Sequence, residues 1–142
     1  MKILVTGGAG FIGSHTCVEL LNAGYEIVIV DNLYNSSEKS LDRVKELTGK
    51  DFAFYPYDIR DKENMRKIFE DHKIDACIHF AGLKAVGESC REPLMYYDNN
   101  IGGTLALCEV MAEYGCKKIV FSSSATVYGN SNISPLKEDM KT

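Results

Sequence analysis

The stretch Lys2-Ile3-Leu4-Val5-Thr6-Gly7-Gly8-Ala9-Gly10-Phe11-Ile12-Gly13 decides the fold of this chain. An apolar β-strand pattern runs into a glycine-rich turn, and helical spacing of apolar residues begins at Phe11. The glycines satisfy both G-x-G-x-x-G and G-x-x-G-x-x-G, a pattern that lets a pyrophosphate approach the backbone and the N-terminus of a helix. The strand before and the helix after the turn favour binding over a mere turn. We therefore expect phosphate contacts from Gly7, Gly10, Phe11, Ile12 and Gly13.

Outward from this stretch, short β-branched runs alternate with helical patterns. Strands are predicted at 2–6, 26–30, 52–55, 75–80 and 118–122, and helices at 11–23, 37–48, 61–72 and 93–114. This alternation is typical of βαβ units, and it predicts an α/β fold with a doubly wound parallel sheet of the Rossmann type. In such sheets ligands lie at the carboxyl ends of the strands. Residues 1–129 are predicted to form this domain, and residues 130–142 to form a loop.

Composition narrows the class of protein further. The 142 residues are 45% hydrophobic and 25% charged, with a formal net charge of -4, as in one globular domain. Without a basic cluster or a long apolar run, we expect no nucleic-acid partner and no membrane partner. Five cysteines without a C-x-x-C motif, and three histidines without metal spacing, argue against a disulfide framework and a metal site. The cysteines are predicted to be reduced core thiols in the cytoplasm.

Acidic residues follow the second and third predicted strands. Asp31 can accept both hydroxyls of an adenosine ribose and would repel a 2′-phosphate, so it favours NAD over NADP. The alternative is a solvated acid that ends a strand. Residues 32–36 add short polar groups near the adenosine. Asp58 and Ile59 suit an adenine ring, although a helix N-cap at Asp58 or Asp61 is nearly as well supported.

Small residues and hydroxyls follow the fourth and fifth strands. Ala81 and Gly82 would let their loop lie against a flat cofactor, and Lys84 could neutralise a phosphate. His79 is interpreted as a hydrogen-bonded residue at the strand end rather than a catalyst. Residues 122–129 bring hydroxyls to the crevice, where they either bind a sugar or cap the strand end. A nucleophilic serine would need a G-x-S-x-G elbow, which is not present here.

These motifs together resemble the UDP-glucose 4-epimerase family of extended short-chain dehydrogenases/reductases. The resemblance extends from residue 1 to residue 129, and its most specific stretches are 79–89 and 122–129. It implies that NAD takes a hydride from C4 of UDP-glucose or UDP-galactose and returns it to the other face of a 4-keto sugar. It implies substrate contacts from Ser124, Thr126 and Lys84, with Ser124 helping proton transfer. It implies cofactor contacts from Asp31, Asn32, Leu33, Tyr34, Asn35, Ser36, Asp58, Ile59, Phe80, Ala81, Gly82, Leu83, Lys84, Asn99 and Ser122.

The resemblance also implies parts that this sequence does not contain. The catalytic base of the family is the tyrosine of a Tyr-x-x-x-Lys motif, which the family places after residue 142, as it does the domain that binds UDP. Tyr114 and Lys118 have the motif spacing but lie at a different helix–strand junction. We therefore expect an N-terminal portion that binds NAD without turnover and that dimerises through the 93–114 helix when complete. As a fragment it should expose apolar surface on that helix and beside the fifth strand.

Three alternatives are weighed against this interpretation. Related sugar-nucleotide dehydratases carry Thr-Asp-Glu where this chain has Ser124-Ala125-Thr126, so the acids needed to eliminate water are missing and a dehydratase is disfavoured. A stand-alone dinucleotide-binding module remains open, as does a different sugar-nucleotide epimerase or reductase with the same first half.

Overall fold

Five parallel strands form a single sheet in a computed structural model that describes residues 1–129 and 134–142. The strand order is β3-β2-β1-β4-β5, so the chain starts at the centre, proceeds to one edge and then crosses to the other side. This reversal between β1 and β4 is the crossover that the doubly wound prediction requires, and the fold class is confirmed. The strands are β1 (Lys2–Thr6), β2 (Glu26–Val30), β3 (Ala53–Tyr55), β4 (Ala76–His79) and β5 (Ile119–Phe121).

Helices connect these strands, and local signals set their ends. Ser37 accepts a hydrogen bond from the N–H of Lys39 and begins α2, and Gly49 ends it with a φ of 64°. Asp61 accepts a hydrogen bond from the N–H of Asn64 and begins α3, so the N-cap is Asp61 and not Asp58. The first four helices are α1 (Phe11–Asn22), α2 (Glu38–Thr48), α3 (Lys62–Asp71) and α4 (Val86–Arg91).

The long helix predicted at 93–114 consists of three consecutive segments. These are α5 (Pro93–Tyr97), a π-helical segment (Asp98–Gly102) and α6 (Gly103–Glu113). Propensity gives no sign of the wider π turn. Helix α4 and the 3₁₀ turn at Ala125–Tyr128 lie in stretches for which no helix is predicted.

The core has one cluster of buried side chains on each face of the sheet. On one face, Val5 and Ile29 pack with Cys17 and Leu21 of α1 and with Leu41 of α2. On the other face, Leu4 of β1 and Val28 of β2 occupy the alternate strand positions. They are covered by Met65 and Ile68 of α3 and by Leu107 of α6. Because both faces are covered, the strands read as continuous apolar runs in the sequence.

Strand β5 differs from the other strands because its side chains are exposed. Ile119, Val120 and Phe121 are 40%, 62% and 57% exposed. Apolar exposure beside the fifth strand is therefore confirmed, and Leu94, Tyr97, Ile101 and Leu105 give the helical run the expected exposed apolar residues.

The cysteines only partly match the prediction of core thiols. Cys17, Cys77 and Cys116 are buried, but Cys90 and Cys108 are exposed, so the prediction is wrong for these two. Both lie on helices, Cys90 on α4 and Cys108 in the 93–114 run, and each occupies an outward-facing position. The described part of the chain contains no helix with the length and apolar character needed to cross a membrane.

Residues 130–142 are only partly described. The loop prediction falls in part on residues 130–133, which lie outside the described residues. Residues 134–142 contain turns and bends and no helix or strand.

Candidate dinucleotide site

A cleft of about 370 Å³ opens at the carboxyl ends of the strands, between the glycine turn and the loop that follows β4. Its volume lies within the range of about 300–1,000 Å³ that is usual for small-molecule sites. It occupies the point where the strand order reverses, which is where ligands bind in open α/β sheets. The cleft is lined by Gly7, Gly10, Phe11, Ile12, Gly13, Val30, Asp31, Asn32, Tyr34, Asn35, Tyr57, Ile59, Phe80, Ala81, Gly82, Leu83, Lys84, Ala85 and Asn99.

The cleft gathers most of the residues that the sequence suggested for a cofactor. Four of the suggested residues lie outside its lining: Leu33, Ser36, Asp58 and Ser122. Three lining residues were not suggested: Val30, Tyr57 and Ala85. Each of these adjoins a suggested residue in sequence or follows a strand, so the rule that ligands meet strand ends could have found them.

The glycine turn forms the floor of the cleft, and its close packing against neighbouring backbone leaves no room for a side chain at Gly7 or Gly13. Gly7 has a φ of +69°, and a Cβ on it would lie 2.7 Å from the backbone nitrogen of Ala81. A Cβ on Gly13 would lie 2.2 Å from the carbonyl oxygen of Gly7. Gly10 is the N-cap residue of helix α1, which has no side-chain cap and no acidic residue in its first turn. Its N-terminal end is therefore electrostatically suited to an anion.

Asp31 is buried at the end of β2 and holds the glycine turn in place. Its Oδ2 accepts the N–H of Ala9 at 3.0 Å, and its Oδ1 accepts the N–H of Leu33 at 2.9 Å and the Ser36 hydroxyl at 2.8 Å. A carboxylate oxygen accepts about two hydrogen bonds, so Oδ2 keeps capacity for one further donor. The solvated-acid alternative is wrong, because Asp31 is only 7% exposed.

Asp58 forms an ion pair beside the cleft instead of lining it. Its Oδ2 lies 2.7 Å from Nη2 of Arg60 and 3.0 Å from Nδ2 of Asn32. The Arg60 hydrogen bond lowers the pKa of Asp58 to about 2 and outweighs the opposing effect of burial. Arg60 also bonds Asp98 at 2.6 Å, which connects the loop after β3 to the π-helical segment. Ile59, next to Asp58, supplies the apolar wall.

His79 is a buried structural residue at the end of β4, as the sequence indicated. The Thr104 hydroxyl donates its single proton to the carbonyl of Asn100, at 2.6 Å, so it accepts from Nε2 of His79, at 3.0 Å. Nδ1 of His79 is then the acceptor for the Thr6 hydroxyl, at 2.6 Å. Burial, with a smaller contribution from the charge of Lys84, lowers the pKa of His79 to about 4. The imidazole is therefore neutral at physiological pH.

Glu88 of α4 joins the two walls of the cleft. One carboxylate oxygen accepts the Tyr34 hydroxyl at 3.3 Å, from the wall after β2, and the other accepts the Tyr96 hydroxyl at 2.6 Å. The negative charge of Glu88 raises the pKa of Tyr34. Burial and the same carboxylate raise the pKa of Tyr96.

Ser124 and Thr126 lie beyond β5 and outside the lining of the cleft. Their hydroxyl oxygens are 2.8 Å apart, and Ser124 caps the 3₁₀ turn by accepting the N–H of Thr126 at 3.2 Å. Both residues are exposed. Tyr114 precedes β5 at the opposite end of the sheet, where its hydroxyl bonds Glu70 at 2.9 Å. It is therefore remote from the cleft, despite its spacing from Lys118.

A doubly wound sheet with a glycine turn and an acidic residue after β2 defines a dinucleotide-binding class, and comparison with known proteins agrees. The family model "NAD dependent epimerase/dehydratase family" matches residues 3–142. The chain belongs to this family.

Individual relatives are UDP-glucose 4-epimerases. The enzyme of Bacillus subtilis is 66% identical over 139 residues, which are 98% of this chain and 41% of the relative. The enzyme of Neisseria meningitidis serogroup C is 61% identical over 140 residues, again 41% of the relative. This chain therefore spans about two fifths of the length of the relatives it matches.

Solved structures agree with this comparison. The UDP-glucose 4-epimerase of Bifidobacterium longum, in complex with NAD+ and UDP, has a TM-score of 0.95 and 53% identity over all of this chain and 42% of its own. The enzyme of Stenotrophomonas maltophila, with bound NAD and formylated UDP-arabinopyranose, has a TM-score of 0.93 and 50% identity, with the same coverage.

Proposed function

We propose that this chain forms the NAD-binding part of an epimerase that interconverts UDP-glucose and UDP-galactose at C4 through a 4-keto intermediate. The observation that carries the proposal is the cleft where the strand order reverses, with a floor that excludes side chains and a carboxylate at its rim. Membership of an NAD-dependent family and the identity to UDP-glucose 4-epimerases support the same activity.

The residues present fit a dinucleotide. The uncapped N-terminus of α1 offers N–H groups to a pyrophosphate. The absence of side chains at Gly7 and Gly13 lets the turn pack against the backbone of Ala81 and lets α1 pack against the turn. Asp31 offers its remaining acceptor to a ribose hydroxyl and repels a 2′-phosphate, which favours NAD. Ile59 gives an adenine ring an apolar surface, and residues 80–85 form the opposite wall. Bound NAD would supply the hydride acceptor and donor for the reaction at C4.

The substrate side involves fewer residues of this chain. The paired hydroxyls of Ser124 and Thr126 are exposed and offer donors and acceptors to a sugar, and Lys84 offers a cation at the rim of the cleft. A base that takes the C4 hydroxyl proton must lie within hydrogen-bond reach of that proton, and Tyr114 lies at the other end of the sheet. We propose that residues 1–129 bind NAD and that the chain alone does not turn over.

The whole protein is proposed to be a cytoplasmic homodimer. Leu94, Tyr97, Ile101 and Leu105 recur at intervals of three and four along one helical run and are all exposed. Apolar stripes of this kind are typical of helix–helix interfaces.

The proposal is tested by titrating the chain with NAD and with NADP in a calorimeter, and by assaying conversion of UDP-galactose. We expect NAD to bind more tightly than NADP, and Asp31→Asn to reduce this preference because the charge that repels a 2′-phosphate is lost. Asp42→Asn, on the exposed face of α2, is the matched control. Failure of NAD to bind would refute the proposed function, and conversion of UDP-galactose by the chain alone would refute the lack of turnover.

A further inference from the structure

The loop between β4 and α4 forms one wall of the cleft, yet side chains from elsewhere hold its backbone. The N–H of Ala81 donates to the Thr6 hydroxyl at 3.3 Å. The N–H of Ala85 donates to the Tyr96 hydroxyl at 3.1 Å. Between these two anchors, the N–H and the carbonyl of Leu83 both bond to the side chain of one residue, Asn100.

The side-chain amide of Asn100 bonds both backbone groups of Leu83, as the backbone of a neighbouring β-strand would. Its Oδ1 accepts the N–H of Leu83 at 2.8 Å, and its Nδ2 donates to the Leu83 carbonyl at 2.9 Å. If the amide were reversed, its Nδ2 would face the Leu83 N–H and its Oδ1 would face the Leu83 carbonyl, so that donor would meet donor and acceptor would meet acceptor. The pairing therefore fixes the orientation of the Asn100 amide. Nδ2 of Asn99 also donates to Oδ1 of Asn100, at 2.9 Å.

The π-helical segment brings these two asparagines to the same side. Asn99 is buried and lines the cleft, whereas Asn100 is half-buried, does not line the cleft and reaches the loop from behind. Segments of this kind are frequent at functional sites. The Asn100 carbonyl accepts the Thr104 hydroxyl, which His79 bonds in turn, so the segment is fixed to the end of β4.

The position of this loop sets the width of the cleft. Ala81 lies so close to the glycine turn that a Cβ on Gly7 would come within 2.7 Å of its nitrogen. Leu83 and Lys84 continue the same wall outward, where no β-ladder holds the backbone. Movement at Leu83 would therefore change the distance between the two walls that a dinucleotide must contact.

We propose that Asn100 is a positioning residue for the dinucleotide: it does not touch the ligand, and it holds the Leu83 backbone so that the loop wall is formed before binding. This inference rests on the proposed NAD binding. Pre-formed walls raise affinity because less ordering is needed on binding.

The test compares Asn100→Ala with Asn22→Ala, an exposed position at the end of α1 that does not line the cleft. NAD titrations are made at a temperature far below the midpoint of thermal unfolding of each variant, so that only folded protein is measured. We expect the Kd for NAD to rise about tenfold in Asn100→Ala, as for the loss of two hydrogen bonds that hold the loop. Amide exchange at Leu83 should become faster, while exchange at Phe80, whose N–H bonds the Thr6 carbonyl, stays slow. Asn22→Ala should change neither quantity.

Asn100→Asp provides a conservative rescue and a second route if the alanine variant does not fold. It keeps the acceptor for the Leu83 N–H and loses the donor, and high ionic strength screens the added charge. We expect the Kd of Asn100→Asp for NAD to lie between that of the unsubstituted protein and that of Asn100→Ala. If Asn100→Ala does not fold, the Kd of Asn100→Asp should still be higher than that of the unsubstituted protein. An unchanged Kd in a folded variant whose Leu83 amide has lost protection would overturn the positioning role. If the unsubstituted protein does not bind NAD, the proposed function fails instead.

Discussion

Lowering the pH below 6.5 should destabilise this protein through His79. The imidazole is 2% exposed, and both of its nitrogens are engaged by threonine hydroxyls. Its pKa falls from an ordinary 6.5 to about 4 in the folded protein, because burial and then Lys84 disfavour the charged form. The unfolded chain therefore binds the proton first.

The sign and size of the effect follow from this difference. His79 adds nothing to the pH dependence above pH 6.5, and stability is lost as the pH falls from there toward 4. A pKa lowered from 6.5 to about 4 corresponds to about 3 kcal/mol of unfolding free energy. This is a large part of the roughly 5–15 kcal/mol that holds a typical domain folded. Asp58, with its pKa of about 2, contributes only below the ordinary value of 3.8, outside this window.

The assay is urea unfolding followed by circular dichroism at a series of pH values, for the unsubstituted protein and for His79→Gln. Glutamine does not titrate, so the free energy of unfolding of His79→Gln should vary less between pH 6.5 and 4 than that of the unsubstituted protein. His15 and His72 are present in both proteins and cancel in the comparison. Equal slopes for the two proteins would show that His79 does not control acid stability, and the reasoning from its burial would be wrong.

Other substitutions test the packing around the cleft. Gly13→Ala should lower the free energy of unfolding by about 3 kcal/mol or more, because the added Cβ would collide with the backbone. Gly24→Ala should lower it by only about 1 kcal/mol, because Gly24 has a φ of +84° but open space around it. Both values are measured by urea unfolding. Gly103→Ala places a Cβ 2.7 Å from Cδ1 of Ile59 and should weaken NAD binding in a calorimetric titration by pushing Ile59 into the cleft. Gly87→Ala, whose Cβ meets nothing closer than 3.8 Å, should not; equal effects of these two would contradict the packing argument. A thiol reagent should label two cysteines in the native protein and five after unfolding, and slow native labelling would contradict the exposure of Cys90 and Cys108.

The strands and most of the cleft could be predicted from the sequence because they rest on local patterns. β1 and β2 have the predicted bounds, since apolar runs between turn signals specify buried strands well. The glycine turn and Asp31 follow from their order after a strand, because the carboxyl ends of parallel strands meet at one edge.

The rest depended on contacts that the sequence does not display. The π-helical segment forms where Asp98 meets Arg60 and Asn100 meets Leu83, both far apart in sequence. The three-way bonding of the Asp31 carboxylate likewise uses Ala9, a residue 22 positions away. No periodicity indicates which donor occupies a buried acceptor.

The pairing of the central strand has a kinetic consequence. β1 pairs with β2, which is the next strand along the chain. It also pairs with β4, whose residues lie 73 positions from their partners in β1. The β4 side, which carries the loop wall, closes a much longer stretch of chain and is expected to form late in folding. Contacts that form after the transition state slow unfolding without speeding folding. A ligand that requires both walls should therefore lengthen the lifetime of the folded protein while leaving its rate of formation unchanged.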